Sequence, residues 1–177
     1  TGINVIDLSQ TKITSLSSEF YKVKGLENVK LPKTINYLGD VFSESGLMEV
    51  DLSGCTELKT LEGTFRNSKK LEKVMLPEGL TIINGAFSDC NSLTTVNFPK
   101  SLQSIGSDAF YNTKIQFVDL SSCSQLVALN WGAFRECHVL DAVLLPSSLQ
   151  SLSEYAFYNT AITAIDLSNT QVQDIKE

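Results

Sequence analysis

The chain has 177 residues, of which 42% are hydrophobic and 19% are charged, and its formal net charge is −6. This size and composition suit one globular domain with its own core. The charges are spread along the chain without a basic cluster, which argues against nucleic acid and anionic membrane surfaces as partners. No apolar run approaches the roughly 20 residues that cross a bilayer, so no membrane insertion is expected.

Phenylalanine marks an internal repeat. Seven of the nine phenylalanines recur every 22 to 24 residues, namely Phe20, Phe42, Phe65, Phe87, Phe110, Phe134 and Phe157. An apolar triplet with spacing i, i+3, i+5 recurs with the same period, and eight triplets cover the chain. They begin at Ile3, Leu26, Leu47, Leu71, Leu93, Ile115, Leu140 and Ile162. The alternation at the end of each triplet, such as Val74 and Leu76, predicts a short strand with alternate side chains turned inward.

Taken in chain order, the eight units follow two patterns. Units one, three, six and eight continue from the strand with an Asp-Leu-Ser segment, starting at Asp7, Asp51, Asp119 and Asp166. Units two, four, five and seven place a proline directly after the strand, at Pro32, Pro77, Pro99 and Pro146. Proline fixes φ and has no N–H, so it suits a strand that turns early. In the other units the aspartate is expected to cap the following turn through its carboxylate.

These patterns resemble a known repeat. The Asp-Leu-Ser units fit the leucine-rich repeat pattern L-x-x-L-x-L-x-x-N/C-x-L, with Thr11, Cys55, Cys123 and Thr170 in the Asn/Cys position. The proline units, most clearly LEKVMLPEGLTIINGAFSDCNSL at residues 71–93, resemble the BspA-like leucine-rich repeats of bacterial cell-surface proteins. The resemblance implies an α/β-type, right-handed solenoid of about eight units. A parallel sheet is expected on its concave face, with turns or short 3₁₀ pieces on the convex side.

A single repeat cannot bury its apolar face, so stacked units are expected to share one core with the phenylalanines as its spine. Residues 1–177 are interpreted as one leucine-rich repeat domain. The chain begins at a strand without a polar capping unit and ends before an eighth phenylalanine. We therefore expect a segment of a longer protein, with possible end-to-end stacking of the repeats; disordered ends are the alternative.

Several residue types that could carry chemistry are explained better by structure. Cysteines in equivalent positions lie two or three units apart, about 10 to 14 Å, whereas a disulfide needs Cα atoms within about 7 Å. Buried thiols that donate weak hydrogen bonds are expected instead. The single histidine, His138, has no second ligand at metal spacing, and aspartates about 10 Å apart cannot share a calcium ion. Trp131 is expected to be a half-buried cover, or alternatively part of a binding edge. No catalytic, metal, disulfide or cofactor site is predicted.

The predicted binding surface lies on the outward face of the sheet. Phe117, Ala142 and Leu144, with Ala164, are expected to form an apolar patch on three adjacent strands, together with Met75. Asp119 and Lys73 are predicted at its rim. A contiguous exposed apolar patch usually marks an interaction site. The alternative is that another segment of the full-length protein covers it.

The family resemblance implies a cell-surface or secreted bacterial protein that adheres to host or matrix macromolecules or to other cells. The expected partner is a protein, or alternatively a glycan, bound on the concave sheet face. The competing hypothesis is a structural spacer that presents another domain and has no ligand of its own. An enzyme is not expected, because no nucleophile is paired with a base in the sequence.

Overall fold

The computed structural model describes residues 2–173 and Ile175. This part of the chain forms fourteen short strands and no helix. Each repeat contributes a first strand and a second strand. The first strands are β1 (Val5–Asp7), β3 (Asn28–Lys30), β5 (Glu49–Asp51), β7 (Lys73–Met75), β9 (Thr95–Val96), β11 (Phe117–Asp119) and β13 (Ala142–Leu144). The second strands are β2 (Ser15–Leu16), β4 (Tyr37–Leu38), β6 (Thr60–Glu62), β8 (Ile82–Asn84), β10 (Ser104–Ile105), β12 (Ala128–Leu129) and β14 (Ser151–Leu152).

Every strand pairs in parallel with the equivalent strand of a neighbouring repeat. The first strands form three ladders, β1-β3, β5-β7-β9 and β11-β13, and the second strands form two, β2-β4 and β6-β8-β10-β12-β14. Between β1 and β13 the chain completes six turns, so the fold is a parallel β-solenoid. The strands are only two or three residues long because each has to place just one or two side chains in the shared core.

Three parts of the predicted fold class are not confirmed: the α/β label, the eight units and the 3₁₀ pieces. The α/β label does not apply to the described residues, because a second short strand stands where helical pieces would be. Seven units form a pair of strands each, which makes about six turns. The eighth triplet, which begins at Ile162, forms no strand in residues 161–173. Its unit still bonds to the seventh, through Ala161 N–H to the Leu140 carbonyl at 2.9 Å, Gln171 N–H to the Leu149 carbonyl at 2.8 Å and a parallel bridge between Leu152 and Ile175.

The expected 3₁₀ pieces are replaced by a corner of turns around each phenylalanine, which we call the Phe corner. In the corner at Phe65, the N–H groups of Arg66 and Ser68 bond to carbonyls three residues back within the turn. The intervening N–H groups of Phe65 and Asn67 bond instead to the next repeat, at 2.9 and 2.8 Å. A 3₁₀ helix needs consecutive bonds within one segment. Bonds within the turn alternate here with bonds to the next repeat, so the corner is not a 3₁₀ helix. The bonds to the next repeat join the neighbouring turns.

Each Phe corner also needs a left-handed backbone. The residue two positions after the phenylalanine has a positive φ in all seven repeats, from Lys22 (φ 60°) to Asn159 (φ 55°). The residue two positions before it is also left-handed in five repeats, namely Gly63, Gly85, Asp108, Gly132 and Tyr155. Glycine, asparagine and aspartate adopt this region most readily. They supply most of the left-handed residues two before the phenylalanine and several of those two after it.

The core is a stack of phenylalanine rings flanked by the apolar triplets. Consecutive rings from Phe20 to Phe157 lie 5.2 to 6.2 Å apart and within 17° of parallel. The five inner rings are fully buried, and the two end rings are half-buried. Stacked rings at this distance add attraction to the burial of apolar area. The prediction that the phenylalanines form a buried spine is confirmed.

Replacing Phe87 with alanine should lower the free energy of unfolding by about 3–5 kcal/mol, because it removes a buried ring that stacks on two neighbours. Phe20→Ala is the matched control, since its ring is half-buried and stacks on Phe42 alone among the described phenylalanines. Urea denaturation followed by circular dichroism measures both. An equal loss in the two variants would contradict a continuous spine.

Candidate binding surface

The outward side of the first strands, called here the first-strand face, carries the predicted patch. In the β11-β13 pair Phe117 lies opposite Ala142, and Asp119 lies opposite Leu144. Their neighbour Val118 points inward and is buried, whereas Phe117 is 51% exposed and Leu144 is 48% exposed. The strand pairing therefore brings three apolar side chains together on the surface. We call Phe117, Ala142 and Leu144 the β11/β13 patch.

Polar groups border this patch. Gln116 precedes β11 and donates a 2.9 Å hydrogen bond from Nε2 to Oδ2 of Asp141, which precedes β13. At the other end, Asp119 accepts hydrogen bonds from the Ser121 hydroxyl at 2.6 Å and the Ser121 N–H at 2.9 Å. These two donors, the hydroxyl first, lower the pKa of the Asp119 carboxyl from its ordinary value. The patch is thus an apolar centre between two fixed, negatively charged groups.

The remaining predicted residues lie apart from the patch. Ala164 was expected on a third adjacent strand, but it lies in the segment without a strand. Lys73 and Met75 belong to β7, which pairs with β5 and β9 and not with β11. Lys73 is exposed, and Met75 is half-buried. The structure therefore brings Phe117, Ala142, Leu144 and Asp119 together and leaves Lys73 and Met75 on a separate ladder.

The first-strand sheet is interrupted twice, between β3 and β5 and between β9 and β11. Just before the second break, Asn97 alters the pairing of β7 with β9. Leu76 N–H bonds to the side-chain Oδ1 of Asn97 at 2.6 Å, and Asn97 Nδ2 donates to the Leu76 carbonyl at 3.2 Å. At the same position Leu52 and Leu120 bond to a main-chain carbonyl of the next repeat at 2.8 Å. The Asn97 side chain takes the place of the backbone, so β9 ends at Val96.

The aspartates of the Asp-Leu-Ser units cap turns, as predicted. In all four, the carboxylate accepts the N–H of the serine two residues later at 2.9–3.0 Å, and Asp7 and Asp119 also accept its hydroxyl. Serine donors, the hydroxyl first and then the N–H, lower the pKa of each carboxyl. In the proline units the proline carbonyl instead accepts the N–H three residues later, at 3.1–3.2 Å.

These caps predict a pH dependence. A carboxyl with a lowered pKa in the folded state contributes stability that is present above its ordinary value near about 4 and is lost as the pH falls through the folded-state value. Asparagine keeps the acceptor oxygen but does not titrate. The triple variant Asp7→Asn, Asp51→Asn, Asp166→Asn should therefore lose less Tm than the wild type between about pH 6 and about pH 3.

The matched control for this titration is Glu27→Gln, Glu57→Gln, Glu78→Gln, which removes three exposed carboxylates that accept no described hydrogen bond. Its loss of Tm over the same pH range should follow the wild type more closely than the aspartate variant does. An unchanged acid dependence in the aspartate variant would contradict the capping role.

The residue three positions after the phenylalanine is small in most repeats, and in several it donates a hydrogen bond to the preceding repeat. Ser68 Oγ, Cys90 Sγ and Cys137 Sγ each donate to the carbonyl of the preceding repeat's phenylalanine, at 2.8 to 3.0 Å. The expected donation from buried thiols is confirmed for Cys90 and Cys137, and Ser68 shows that a hydroxyl makes the same bond, so the position takes the hydrogen-bond donors serine, cysteine and threonine. Burial raises the pKa of the Cys90 thiol to about 12, which keeps its hydrogen in place.

The other two cysteines also act as donors. Cys55 and Cys123 point their thiols at the carbonyls of Pro32 and Pro99, at 3.7 and 3.5 Å. All four cysteines are buried free thiols. Burial raises the pKa of Cys123 to about 11. A protonated, buried thiol is a poor nucleophile and a poor metal ligand.

Trp131 belongs to an aromatic cluster that the sequence did not reveal. The Arg135 guanidinium lies 4.9 Å from the Trp131 ring and 4.5 Å from the Tyr111 ring, and Tyr155 meets the indole edge to face at 5.8 Å. Arg135 and Tyr111 occupy equivalent positions on neighbouring Phe corners, and Trp131 and Tyr155 lie beside them. Trp131 is 39% exposed, so it is more open than the predicted half-buried cover, and its alternative role at a binding edge stays a prediction.

No group of histidine, cysteine, aspartate or glutamate residues in the described ranges is arranged to hold a metal ion. His138 is exposed and lies 3.4 Å from the Glu136 carboxylate. Within residues 2–173 there is likewise no helix that could span a bilayer.

Comparison with known proteins agrees with this geometry. The model of the BspA type leucine-rich repeat region matches residues 1–62 and 59–177, with six copies. The chain belongs to the BspA-type leucine-rich repeat family. A comparison with curated protein sequences found no significant match.

Solved structures share the fold. A leucine-rich repeat protein of T. pallidum is 26% identical, with a TM-score of 0.63, and the match covers 88% of this chain and 65% of that one. A leucine rich cell surface protein of Faecalibacterium prausnitzii is 20% identical (TM-score 0.53; 81% and 48% covered). A leucine-rich repeat protein of Eubacterium ventriosum is 21% identical (TM-score 0.53; 97% and 56% covered). The chain thus spans about half to two thirds of these proteins.

Proposed function

We propose that the chain is a non-enzymatic binding module of a bacterial cell-surface or secreted protein, and that it adheres to a macromolecular partner through the β11/β13 patch. The observation that carries this proposal is the pair of half-exposed side chains, Phe117 and Leu144, on paired strands whose inward neighbours, the buried Val118 and the half-buried Val143, already pack on the core. Folding of the repeats does not require apolar side chains there, because the equivalent pairs on the β1-β3 and β5-β7 ladders are mostly polar or charged.

The chemistry of the patch defines the partner. Large apolar side chains at the centre of an interface supply most of its binding energy, and the charged rim orients the partner. Asp119 and Asp141 border the patch, and the whole chain carries a net charge of −6. A protein that presents an apolar side chain beside basic residues would complement this surface. The cell-surface location is supported by family membership and by the similar fold of the Faecalibacterium prausnitzii cell surface protein.

A double charge substitution tests the patch. Phe117→Glu with Leu144→Glu should weaken binding to immobilised proteins of the host extracellular matrix at least about tenfold. Both side chains are on the surface, so the melting temperature should stay close to that of the wild type. Surface plasmon resonance measures the binding, and scanning calorimetry measures the stability.

The matched control uses the same positions on another ladder. Val5 occupies in β1 the position of Phe117 in β11, and Lys30 occupies in β3 the position of Leu144 in β13. Val5→Glu with Lys30→Glu introduces the same two carboxylates beside an equivalent aspartate, and it should leave binding unchanged. Equal binding by both double variants would overturn the proposed patch.

A second candidate function is a stiff spacer that holds another domain away from the cell. The continuous stack of rings from Phe20 to Phe157 favours this alternative, because it ties each repeat to the next. A spacer predicts that cell attachment survives the Phe117→Glu, Leu144→Glu change and depends on the number of repeats. Attachment assays on the full-length protein with repeats deleted in whole units separate the two functions.

A further inference from the structure

A trough runs along the Phe corners of the N-terminal half, on a different side of the solenoid from the first-strand face. It has a volume of about 750 Å³ and crosses the corners at Phe42, Phe65 and Phe87 as far as Asp108. Tyr21 and Tyr37 stand at its N-terminal end, and Tyr37 is 51% exposed.

Serines at alternate corners open this trough. The position one after the phenylalanine is Ser43 and Ser88 there, alternating with Tyr21 and Arg66. At the later corners, from Tyr111 to Tyr158, the same position is always arginine or tyrosine. Glycine two before the phenylalanine does not separate the two halves, because Gly132 matches Gly63 and Gly85. The same backbone therefore forms an open channel where serines intervene and carries the aromatic cluster of Trp131 where they do not.

The floor of the trough has no backbone groups to offer an extended peptide. The Gly63 N–H donates to the Asn84 carbonyl and the Gly85 N–H donates to the Ser107 carbonyl, both at 3.1 Å. A peptide that added a strand would need unpaired N–H and C=O groups at a sheet edge. Recognition in this trough must therefore come from side chains.

The side chains that line the trough suit hydroxyl groups. Asp40, Arg66 and Asn67 form no side-chain hydrogen bond with the described residues, and Asn84 Nδ2 contacts Glu62 at a long 3.3 Å. Carboxylates accept hydrogen bonds, a guanidinium donates them and side-chain amides do both. A sugar hydroxyl can donate or accept, so it can pair with each of these groups. The exposed tyrosines add flat apolar faces with a polar tip, on which a sugar ring can stack.

The ionic groups of the trough restrict the ligand further. Four carboxylates line it, and two of them are paired: Glu44 with Lys22 and Asp108 with Arg135, each at 3.4 Å. Asp40 and Glu62 share the lining with one guanidinium, that of Arg66. A sulfated or otherwise acidic chain is held by a cluster of cations, which this lining does not supply. We infer that the trough is a second binding site, which takes a neutral glycan chain along the Phe corners with a sugar ring stacked on Tyr37.

The test uses the purified chain on an array of neutral oligosaccharides derived from glucans, mannans, galactans and chitin, with heparin and poly-lysine as charged probes. Titration calorimetry then measures Kd for each neutral probe that binds. Tyr37→Ala should weaken that binding about tenfold, because it removes an exposed stacking surface without disturbing the core.

Gly85→Tyr should abolish binding by filling the trough. The substitution strains the backbone, because Gly85 has φ 56°, but Tyr155 tolerates the equivalent position at φ 59°, so the variant should fold and circular dichroism checks that it does. The control is Ser151→Tyr, which places a tyrosine in β14 at the strand position that Tyr37 occupies in β4. It should bind like the wild type.

Three results would overturn the site: no neutral probe binds, only poly-lysine binds, or neither Tyr37→Ala nor Gly85→Tyr affects the affinity. The Phe117→Glu, Leu144→Glu variant should retain glycan binding, because its substitutions lie on the first-strand face. Loss of glycan binding in that variant would place the ligand on the β11/β13 patch and would likewise overturn the trough.

Discussion

The Phe corner is the interaction on which the rest of the solenoid depends. It joins each repeat to the next through a stacked ring inside and through backbone hydrogen bonds from alternate N–H groups outside. Because the strands are only two or three residues long, they could not hold the repeats in register alone. The corners fix that register, and both surfaces discussed above follow from it, since the same register places Phe117 beside Ala142 and aligns Gly63 with Gly85.

The Asp-Leu-Ser repeats and the proline repeats form the turn after the first strand with different hydrogen bonds. After the first strand the chain must turn towards the second strand while keeping its polar groups satisfied. In one form an aspartate carboxylate accepts the serine N–H, and in the other a proline needs no donor partner and its carbonyl closes the turn. Both turns deliver a buried leucine to the core, such as Leu58 or Leu80. The mixture of repeat types therefore changes the turns and leaves the interior continuous.

Most of the architecture could be predicted from the sequence because a repeat presents the same evidence many times. The phenylalanine spine, the first strands, the capping aspartates and the buried small residues each recur at fixed positions. The second strands were missed because Tyr37–Leu38 or Ser151–Leu152 offers too few residues to show alternation. The Phe corners were expected to include 3₁₀ pieces, since sequence spacing cannot show that their N–H groups bond to the next repeat.

The candidate site was predicted only in part, for a related reason. Phe117, Ala142, Leu144 and Asp119 follow directly from the strand positions, and the pairing of β11 with β13 brings them together. Lys73 and Met75 were assigned to the same surface on the assumption of one unbroken sheet. The first strands instead form three separate ladders, with breaks after β3 and after β9. The apolar triplets on either side of both breaks keep the pattern of the other repeats, so no periodic signal in the sequence marks the breaks.

The backbone hydrogen bonds that link one Phe corner to the next point one way along the solenoid axis, opposite to the side-chain bonds of Ser68, Cys90 and Cys137. From Gly63 to Glu136, the N–H groups two before, at and two after each phenylalanine donate to the following repeat. Each corner therefore receives bonds from the preceding turn through its carbonyls and gives bonds to the next through its amides. The first strands lack this polarity, because the Leu8 N–H donates forward to Lys30 whereas the Glu27 N–H donates back to Asn4. The corners therefore give the solenoid axis a direction, with amides aimed at one end and carbonyls at the other.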